Sequence, residues 1–369
     1  MAEPLKNFFG PDVPARIGEL IEGVYPGFDR EGFLSAALEG FEELELTERA
    51  RHISAALAGA LPGDREKAIE ILMASLGSQG QEAALTGMAS FLYLPLVYFV
   101  AEQGLGCFET SMRAQKELTK RFTAEFSIRS FLDHHPEKTL ERLRIWAGDP
   151  DAHVRRLVSE GTRPRLPWAP RLKRFQDDPR PVLELLELLK DDPEEYVRRS
   201  VANNLNDISK DHPGLAVEVA RRWWDGASED RRRLVRHGLR TLVKGGNPDA
   251  LIILGYGRDT PARVVNVLVE PSEVNIGGKV RIEAAIANPT QSSIGVLVDL
   301  RVHFVKANGS TSPKVFKGAE LSLGPGEERR IRKTVSIAQQ STRSHHPGLH
   351  RIEIMINGNV HPGAEFEVL

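Results

Sequence analysis

The stretches DPDAHVRRLVSEG, residues 149–161, and DPEEYVRRSVANN, residues 192–204, decide the fold of this chain. They start 43 residues apart, and each combines an Asp-Pro helix start with a pair of arginines at the same position. A fainter third copy, RRRLVRHG, begins at Arg231. A helical unit that recurs at about 40 residues is typical of a HEAT-like solenoid, which stacks helix pairs into a curved superhelix with a concave face.

The texture of the sequence changes on the C-terminal side of these repeats. Apolar residues recur at helical spacing up to about Gly257, with short Pro, Gly or Asp punctuation. After Arg263, alternating runs such as KVRIEAAIANP and GVLVDLRVHFV are separated by turn signals. With 369 residues, the chain is also longer than one compact core usually fills. We therefore predict an all-α HEAT-like repeat domain over residues 1–258 and an all-β sandwich over residues 263–369.

Composition excludes several classes of protein. Hydrophobic residues make up 41% and charged residues 27% of the chain, which excludes a mainly disordered polypeptide. The single cysteine, Cys107, excludes an internal disulfide and a cysteine-based zinc site, and it indicates a reducing compartment. The start, MAEPLKNFFG, does not resemble a secretory signal. We expect a cytoplasmic, monomeric protein.

The most apolar stretch, FLYLPLVYFV at residues 91–100, is about half as long as a membrane-spanning helix and contains Pro95. We predict a buried core helix here, with a kink or a broken start.

Charge is segregated along the chain, although the net charge is only −2. Residues 163–174 and 231–244 contain many arginines and no acidic residue, and the repeats place further arginines at equivalent positions. Stacked repeats would align them into a basic stripe suited to a phosphate backbone, whereas the alternative is a solvated face paired with neighbouring acids. The predicted DNA contacts are Arg155, Arg156, Arg163, Arg165, Arg198, Arg199, Arg232, Arg233 and Arg236.

Familiar catalytic and cofactor motifs are absent from the sequence. It has no P-loop, Rossmann glycine fingerprint, HExxH or GxSxG motif. The adjacent pairs His134-His135 and His345-His346 lack accompanying ligands at metal-binding spacing. We predict neither a metal nor a cofactor.

Three carboxylates fall on or near the arginine-bearing helices: Glu125, Glu160 and Asp207. An acid weakens a phosphate-binding surface, so one explanation of these carboxylates is a positively charged target. The alternatives are a pair of Glu125 with Arg129, a pair of Glu160 with Arg156, and a helix-terminal role for Asp207. Trp168, between two prolines, is either a packed surface aromatic or a platform that stacks on a sugar or base.

FTAEFSIRSFLDHHP, SEGTRPRLPW and VANNLNDISKDHP, taken with the repeats between them, closely resemble the AlkC branch of the bacterial HEAT-like-repeat alkylpurine DNA glycosylases. The resemblance covers essentially the whole helical domain. The C-terminal sandwich looks like the immunoglobulin-like domain found on a subset of that branch, by texture and position.

The resemblance implies monofunctional excision of 3-methylcytosine, 1-methyladenine and 3-methyladenine from duplex DNA, without drawing the base into a pocket. It places the catalytic residues at Glu125, Glu160, Asp207 and Trp168. Glu125 and Glu160 would stabilise a cationic sugar, Asp207 would position or activate water, and Trp168 would stack on the deoxyribose. Rival interpretations are a non-catalytic scaffold and a damage-binding relative without activity.

The C-terminal sandwich also has a predicted role. We expect it to close the solenoid into a clamp on DNA, through residues 341–348 (STRSHHPG) or the basic ERRIRK run at residues 328–333. The alternatives are a passive module and a protein-binding one.

Overall fold

The computed structural model of the chain describes residues 5–77, 87–340 and 343–369. Short 3-10 helices cover Leu5–Phe8, Phe41–Glu43 and Gly87–Tyr93. The α-helices in these residues all precede Arg263: α1 (Asp12–Glu22), α2 (Arg30–Leu38), α3 (Leu46–Ala60), α4 (Arg65–Ser75), α5 (Leu94–Gln103), α6 (Phe108–Thr119), α7 (Glu125–His134), α8 (Pro136–Trp146), α9 (Ala152–Gly161), α10 (Lys173–Asp177), α11 (Arg180–Leu189), α12 (Glu195–Ile208), α13 (Pro213–Trp224), α14 (Glu229–Gly238), α15 (Arg240–Lys244) and α16 (Pro248–Ile253).

The strands begin at Arg263: β1 (Arg263–Glu270), β2 (Glu273–Val274), β3 (Lys279–Ala287), β4 (Ile294–Val305), β5 (Thr311–Leu323), β6 (Glu328–Ser336), β7 (Gly348–Ile356) and β8 (Asn359–Val368). The predicted succession of an all-α part and an all-β part is therefore confirmed.

The apolar run at residues 91–100 is a buried helix with a broken start, as predicted. Its first residues belong to the 3-10 helix, and α5 continues from Leu94 with Pro95 in its first turn. Proline fits there because the first backbone N–H groups of a helix have no partner within it. Residues Leu94 to Ala101 are all buried. In the described part of the chain, no helix is both long and apolar enough to cross a membrane.

The recurring Asp-Pro motif forms the same closed turn in both repeats. Asp149 accepts a hydrogen bond from the backbone of Asp151 at 3.0 Å, and Asp192 accepts one from Glu194 at 2.9 Å. These turns connect α8 to α9 and α11 to α12, and α9 packs against α12. The 43-residue period thus reflects a repeated helix–turn–helix unit.

The strands form two sheets that share one core. β1, β3 and β6 make one sheet, and β2, β8, β7, β4 and β5 make the other, in that spatial order. All pairs are antiparallel except β2 with β8. Alternate residues of β3 point inward, and apolar side chains from both sheets meet in the core, including Val280, Ile282, Val298, Ile352 and Ile354. This is the predicted sandwich.

The boundary between the two compact units of the chain differs from the boundary between its helices and its strands. One compact unit extends to Asp211, and the other begins at His212 and includes α13–α16 with the sandwich. Gly246, after α15, approaches Gly358, in the β7–β8 turn, so closely that a Cβ on either would lie within about 3.2 Å of the other residue's backbone. Asn357 also donates to the carbonyl of Gly257 at 2.8 Å. These contacts attach the last helices to the sandwich.

Candidate functional site

The ends of three helices bring the predicted carboxylates together. Glu125 is the first residue of α7, and Glu160 and Asp207 are the penultimate residues of α9 and α12. Helices α9 and α12 are joined by a hydrogen bond of 2.7 Å between the hydroxyls of Ser159 and Ser200. Because the two helices occupy equivalent places in successive repeats, their C-terminal ends carry Glu160 and Asp207 to the same region.

Two arginines link the carboxylates into a chain of alternating charge. Arg156 Nη1 lies 3.0 Å from Glu125 Oε2, and Arg156 Nη2 lies 3.7 Å from Glu160 Oε1. Arg163 then donates to Glu160 Oε1 at 2.7 Å and to Asp207 Oδ2 at 2.8 Å. The order of the chain is Glu125, Arg156, Glu160, Arg163, Asp207, and we call it the ion-pair chain.

The structure contains some of the alternative pairings that the sequence suggested for these carboxylates and lacks others. Arg156 is the ionic partner of Glu125, whereas Arg129 donates to backbone carbonyls. The pair of Glu160 with Arg156 is present, although the contact with Arg163 is shorter. Asp207 lies in the last turn of α12 and accepts a hydrogen bond from Lys210 at 2.9 Å. The three carboxylates are therefore paired with cations and also lie together in one site.

The arginines of the ion-pair chain are held firmly in their charged forms. Burial opposes the charge of Arg163, but Glu160 and Asp207 outweigh burial and raise its pKa above the usual value. The same balance, with Glu125 and Glu160 as the acids, raises the pKa of Arg156. The positions of the carboxylates are consequently fixed by permanent cations.

A cavity of about 320 Å³ borders the ion-pair chain. Glu125, Glu160 and Arg163 form its charged side, and Trp168 contributes an aromatic edge. The rest of the wall is mostly apolar and includes Leu46, Phe91, Leu94, Tyr98, Phe122, Phe126, Leu166 and Pro167. Asp207 is only 1% exposed and is not part of this lining.

Trp168 has an unusual backbone and an exposed ring. Its φ angle is +64°, and 72% of the residue is exposed. A left-handed conformation costs a residue with a Cβ about 1–2 kcal/mol. This exposure favours a stacking platform over a packed surface aromatic, and the role of Trp168 in binding stays a prediction.

Most of the arginines predicted as DNA contacts in the first unit are engaged within the chain. Arg155 binds Asp192 through two hydrogen bonds of 2.6 and 3.0 Å, and Arg198 donates to the carbonyls of the turn at residues 192–193. Arg165 binds Asp211, while Arg156 and Arg163 belong to the ion-pair chain. Arg199 pairs with Glu195 but has a side chain 65% exposed. Their contact with DNA stays a prediction.

The predicted arginines of α14 are exposed. Arg232 and Arg236 lie over the ring of Trp224, at 5.7 and 5.6 Å from its centroid. Arg233 is near Glu229 and Asp230 at 3.4 and 3.6 Å, and its side chain is 70% exposed.

The pair His134-His135 makes ordinary contacts with backbone carbonyls. His134 Nδ1 lies 2.8 Å from the carbonyl oxygen of Ser130, and His135 Nε2 lies 3.0 Å from that of Leu105. In residues 5–77, 87–340 and 343–369, no group of three or more His, Cys, Asp or Glu could hold a metal ion.

Sequence reasoning missed two neighbours of the ion-pair chain. Ser200 donates to Glu160 Oε2 at 2.5 Å, and Tyr196 lies beneath Arg156, whose guanidinium carbon is 4.9 Å from the ring centroid. The repeat alignment contains a signal for Tyr196. It is equivalent to His153 in the preceding repeat, and the two rings are in contact, with centroids 5.6 Å apart.

Known proteins match the whole chain. The family described as "Uncharacterised protein YhaZ, C-terminal Ig-like domain" matches residues 263–369. The chain is 33% identical to YhaZ of Bacillus subtilis (strain 168) over 365 residues, covering 99% of each protein. The structure of Pseudomonas fluorescens alkylpurine DNA glycosylase AlkC, bound to DNA containing an abasic site analog, matches with 36% identity, a TM-score of 0.92 and full coverage of both chains. The chain therefore belongs to the AlkC branch of the HEAT-like-repeat alkylpurine DNA glycosylases and ends in an immunoglobulin-like domain.

Proposed function

We propose that this protein is a monofunctional DNA glycosylase that removes alkylated bases from duplex DNA. Its proposed substrates are bases made cationic by N-alkylation: 3-methyladenine, 3-methylcytosine and 1-methyladenine. The observation that carries the proposal is the ion-pair chain beside the exposed ring of Trp168. The full-length similarity to AlkC supports the same activity.

The chemistry needs negative charge near the sugar. A methylated ring nitrogen makes the base a good leaving group, and positive charge develops on the deoxyribose as the N-glycosidic bond breaks. A carboxylate about 4 Å away contributes roughly 4 kcal/mol at an effective dielectric constant near 20. If this interaction forms mainly in the transition state, it accelerates the reaction about a thousandfold.

The proposal assigns this task to Glu125 and Glu160, and it is supported by the position of both residues in the lining of the cavity that Trp168 borders. Arg156 and Arg163 fix these carboxylates before the substrate arrives, so little reorganisation is needed during the reaction. Trp168 stacks on the deoxyribose in this proposal, and the base is not drawn into a pocket.

Asp207 is assigned to positioning or activating the attacking water. Its 1% exposure and its bonds to Arg163 and Lys210 make this assignment the most demanding part of the proposal. Water reaches the carboxylate only if one of those cations moves when DNA binds. Asp207 is therefore the residue to test by substitution.

The experiment uses a duplex oligonucleotide with one 3-methylcytosine. We expect an abasic product whose strand breaks only after alkali treatment. Asp207→Asn should keep the affinity for DNA and lower the single-turnover rate of excision at least about a hundredfold, because an amide cannot activate water as a carboxylate does.

The exposed Asp177, at the end of α10, provides the matched control. Asp177→Asn makes the same chemical change and should keep the full rate, with melting curves confirming that both variants are folded. Unchanged excision by Asp207→Asn would remove Asp207 from the mechanism. Release of no base by the unaltered protein would instead favour a non-catalytic scaffold or damage-binding protein.

DNA binding by the immunoglobulin-like domain is a further part of the proposal. Of the two candidate regions, the ERRIRK run is largely neutralised, because Arg330 and Arg332 both bind Glu283 and Arg329 binds Glu327. The other region borders a cavity of about 310 Å³ lined by Lys306, Lys314, Arg343 and His346, with no acidic residue in its lining. Ser341 and Thr342, from the predicted loop, lie outside the described residues. The cavity region is therefore our candidate for a backbone phosphate.

A further inference from the structure

The segment between α9 and α10, residues 162–172, carries Trp168. Hydrogen bonds within this segment do not satisfy all of its backbone carbonyls. Its three prolines lack backbone N–H groups, so a regular ladder of hydrogen bonds cannot form within it. Leu172 N donates to the carbonyl of Pro164 at 3.2 Å, and the contact from Ala169 N to the carbonyl of Leu166 is a long 3.4 Å. Other carbonyls of the segment need donors from elsewhere, because an unpaired buried carbonyl is costly.

Arg129, on α7, supplies those donors. Its Nη1 donates to the carbonyls of Gly161 at 3.2 Å and of Arg163 at 2.7 Å, and its Nη2 donates to the carbonyl of Pro170. The residue is only 5% exposed. One buried guanidinium thus joins the backbone on both sides of Trp168 to a single helix.

The same helix begins with Glu125, one turn before Arg129. Both Glu125 and Trp168 line the cavity beside the ion-pair chain, whereas Arg129 is not part of that lining. A second bond, from Arg174 to the carbonyl of Leu132 at 2.9 Å, ties the start of α10 to α7. The position of the Trp168 ring relative to Glu125 therefore depends on how the segment is attached to α7.

We infer that Arg129 is a positioning residue, which holds the segment 162–172 so that Trp168 faces the cavity lined by Glu125 and Glu160. The effect passes through the backbone, since Arg129 bonds to carbonyl oxygens. Only arginine presents several N–H donors in a planar fork, which allows one side chain to bind three carbonyls. The inference rests on the proposed function, because it makes the cavity face the reacting one.

The test is Arg129→Met in the full chain labelled with 5-fluorotryptophan. We expect the fluorine resonance of Trp168, identified through Trp168→Phe, to shift, while those of Trp146, Trp223 and Trp224 stay in place. Excision of 3-methylcytosine in a single turnover should fall about a hundredfold, the cost expected of a small misplacement. In a Trp168→Ala background, Arg129→Met should cause no further loss of rate, because its effect runs through Trp168.

Arg49→Met is the matched control. Arg49 is also 5% exposed and donates to backbone carbonyls, those of Leu44, Lys6, Phe9 and Glu42, none of which belongs to the segment 162–172. This variant should lose stability and keep both the Trp168 resonance and the excision rate of the folded protein.

Arg129→Lys covers the case in which Arg129→Met does not fold, and it should produce a smaller shift and a smaller loss of rate. Two results would overturn the inference: an unmoved Trp168 resonance in the folded Arg129 variants, or equal losses with and without Trp168. An unaltered protein that releases no base would refute the proposed function, and the resonance would still decide whether Arg129 positions Trp168.

Discussion

Both carboxylate oxygens of Glu160 accept a hydrogen bond from the protein. One oxygen accepts from Arg163, and the other accepts from the hydroxyl of Ser200, which in turn accepts from Ser159. Asn204 extends the network by donating to the carbonyl of Ser159 at 2.8 Å. A carboxylate fixed by several donors keeps one orientation, which is the property that electrostatic catalysis requires.

Ser200→Ala tests the value of this orientation. The variant removes a hydrogen bond to a buried charge, so we expect the free energy of unfolding to fall by about 1–3 kcal/mol. Excision should slow about tenfold, because Glu160 can then rotate away from the cavity. Chemical denaturation and single-turnover kinetics measure the two effects.

Ser54→Ala is the control, since Ser54 is equally buried but its hydroxyl finds no hydrogen-bond partner in the part of the chain that the structure describes. It should leave the excision rate unchanged and should not lower the free energy of unfolding, because no hydrogen bond is lost. A Ser200→Ala variant as active and as stable as the parent would show that Arg163 and Arg156 fix Glu160 without help from Ser200.

At the scale of elements, the paired arginines of the repeat serve two different purposes. The first arginine of each pair closes its own turn: Arg155 donates to the carbonyls of Asp149 and Pro150, and Arg198 donates to those of Asp192 and Pro193. The second arginine points elsewhere, since Arg156 joins the ion-pair chain and Arg199 is exposed. Arginines that recur in the repeat therefore have different roles: the first of each pair stabilises its turn, and the second joins the ion-pair chain or is exposed.

Arg155→Gln should therefore destabilise the protein without changing how salt affects its DNA binding. Breaking the pair leaves the carboxylate of Asp192, 3% exposed, without its cation, which costs about 3 kcal/mol. The logarithm of affinity against the logarithm of salt concentration should keep its slope. Arg232→Gln, at an exposed position of α14, should instead reduce that slope by about one. A reduced slope for Arg155→Gln would mean that Arg155 binds a phosphate after all.

For the molecule as a whole, the net charge of −2 hides local groups of cations. In the immunoglobulin-like domain, Arg343 lies over the ring of Phe304, and Lys314 lies 5.1 Å from the centroid of Phe316. Burial, followed by repulsion from Arg343 and Lys244, lowers the pKa of Lys314. The described lining of the cavity beside Lys314 contains no acidic residue, and like charges that repel one another there favour an anionic ligand.

Charge reversal in the full chain tests this surface. Lys314→Glu combined with Arg343→Glu should weaken DNA binding and reduce its salt slope by about two, because two phosphate contacts are lost. Lys279→Glu combined with Arg281→Glu changes the net charge equally at exposed positions of β3. If both double variants weaken binding alike, the effect is one of overall charge, and the cavity of Lys314 is not a phosphate site.

The sequence by itself determined the classes of secondary structure and the repeat, while its resemblance to a known family supplied the catalytic candidates, which stay a prediction. Helical and strand periodicities are local properties, so a few neighbouring residues suffice to express them. The Asp-Pro turns likewise close over a sequence separation of six residues, from Asp149 to Arg155.

Only the tertiary structure decided which groups distant in the sequence meet. Arg163 binds Asp207 across a sequence separation of 44 residues. Arg129 donates to the carbonyl of Pro170 across 41 residues, and Ser200 donates to Glu160 across 40 residues. Such partners depend on how successive repeats stack, and no local pattern specifies whether an arginine points toward a carbonyl, a carboxylate or solvent. The long, flexible side chains of the arginines can reach several neighbours, and the packing of the helices determines which neighbour each arginine binds.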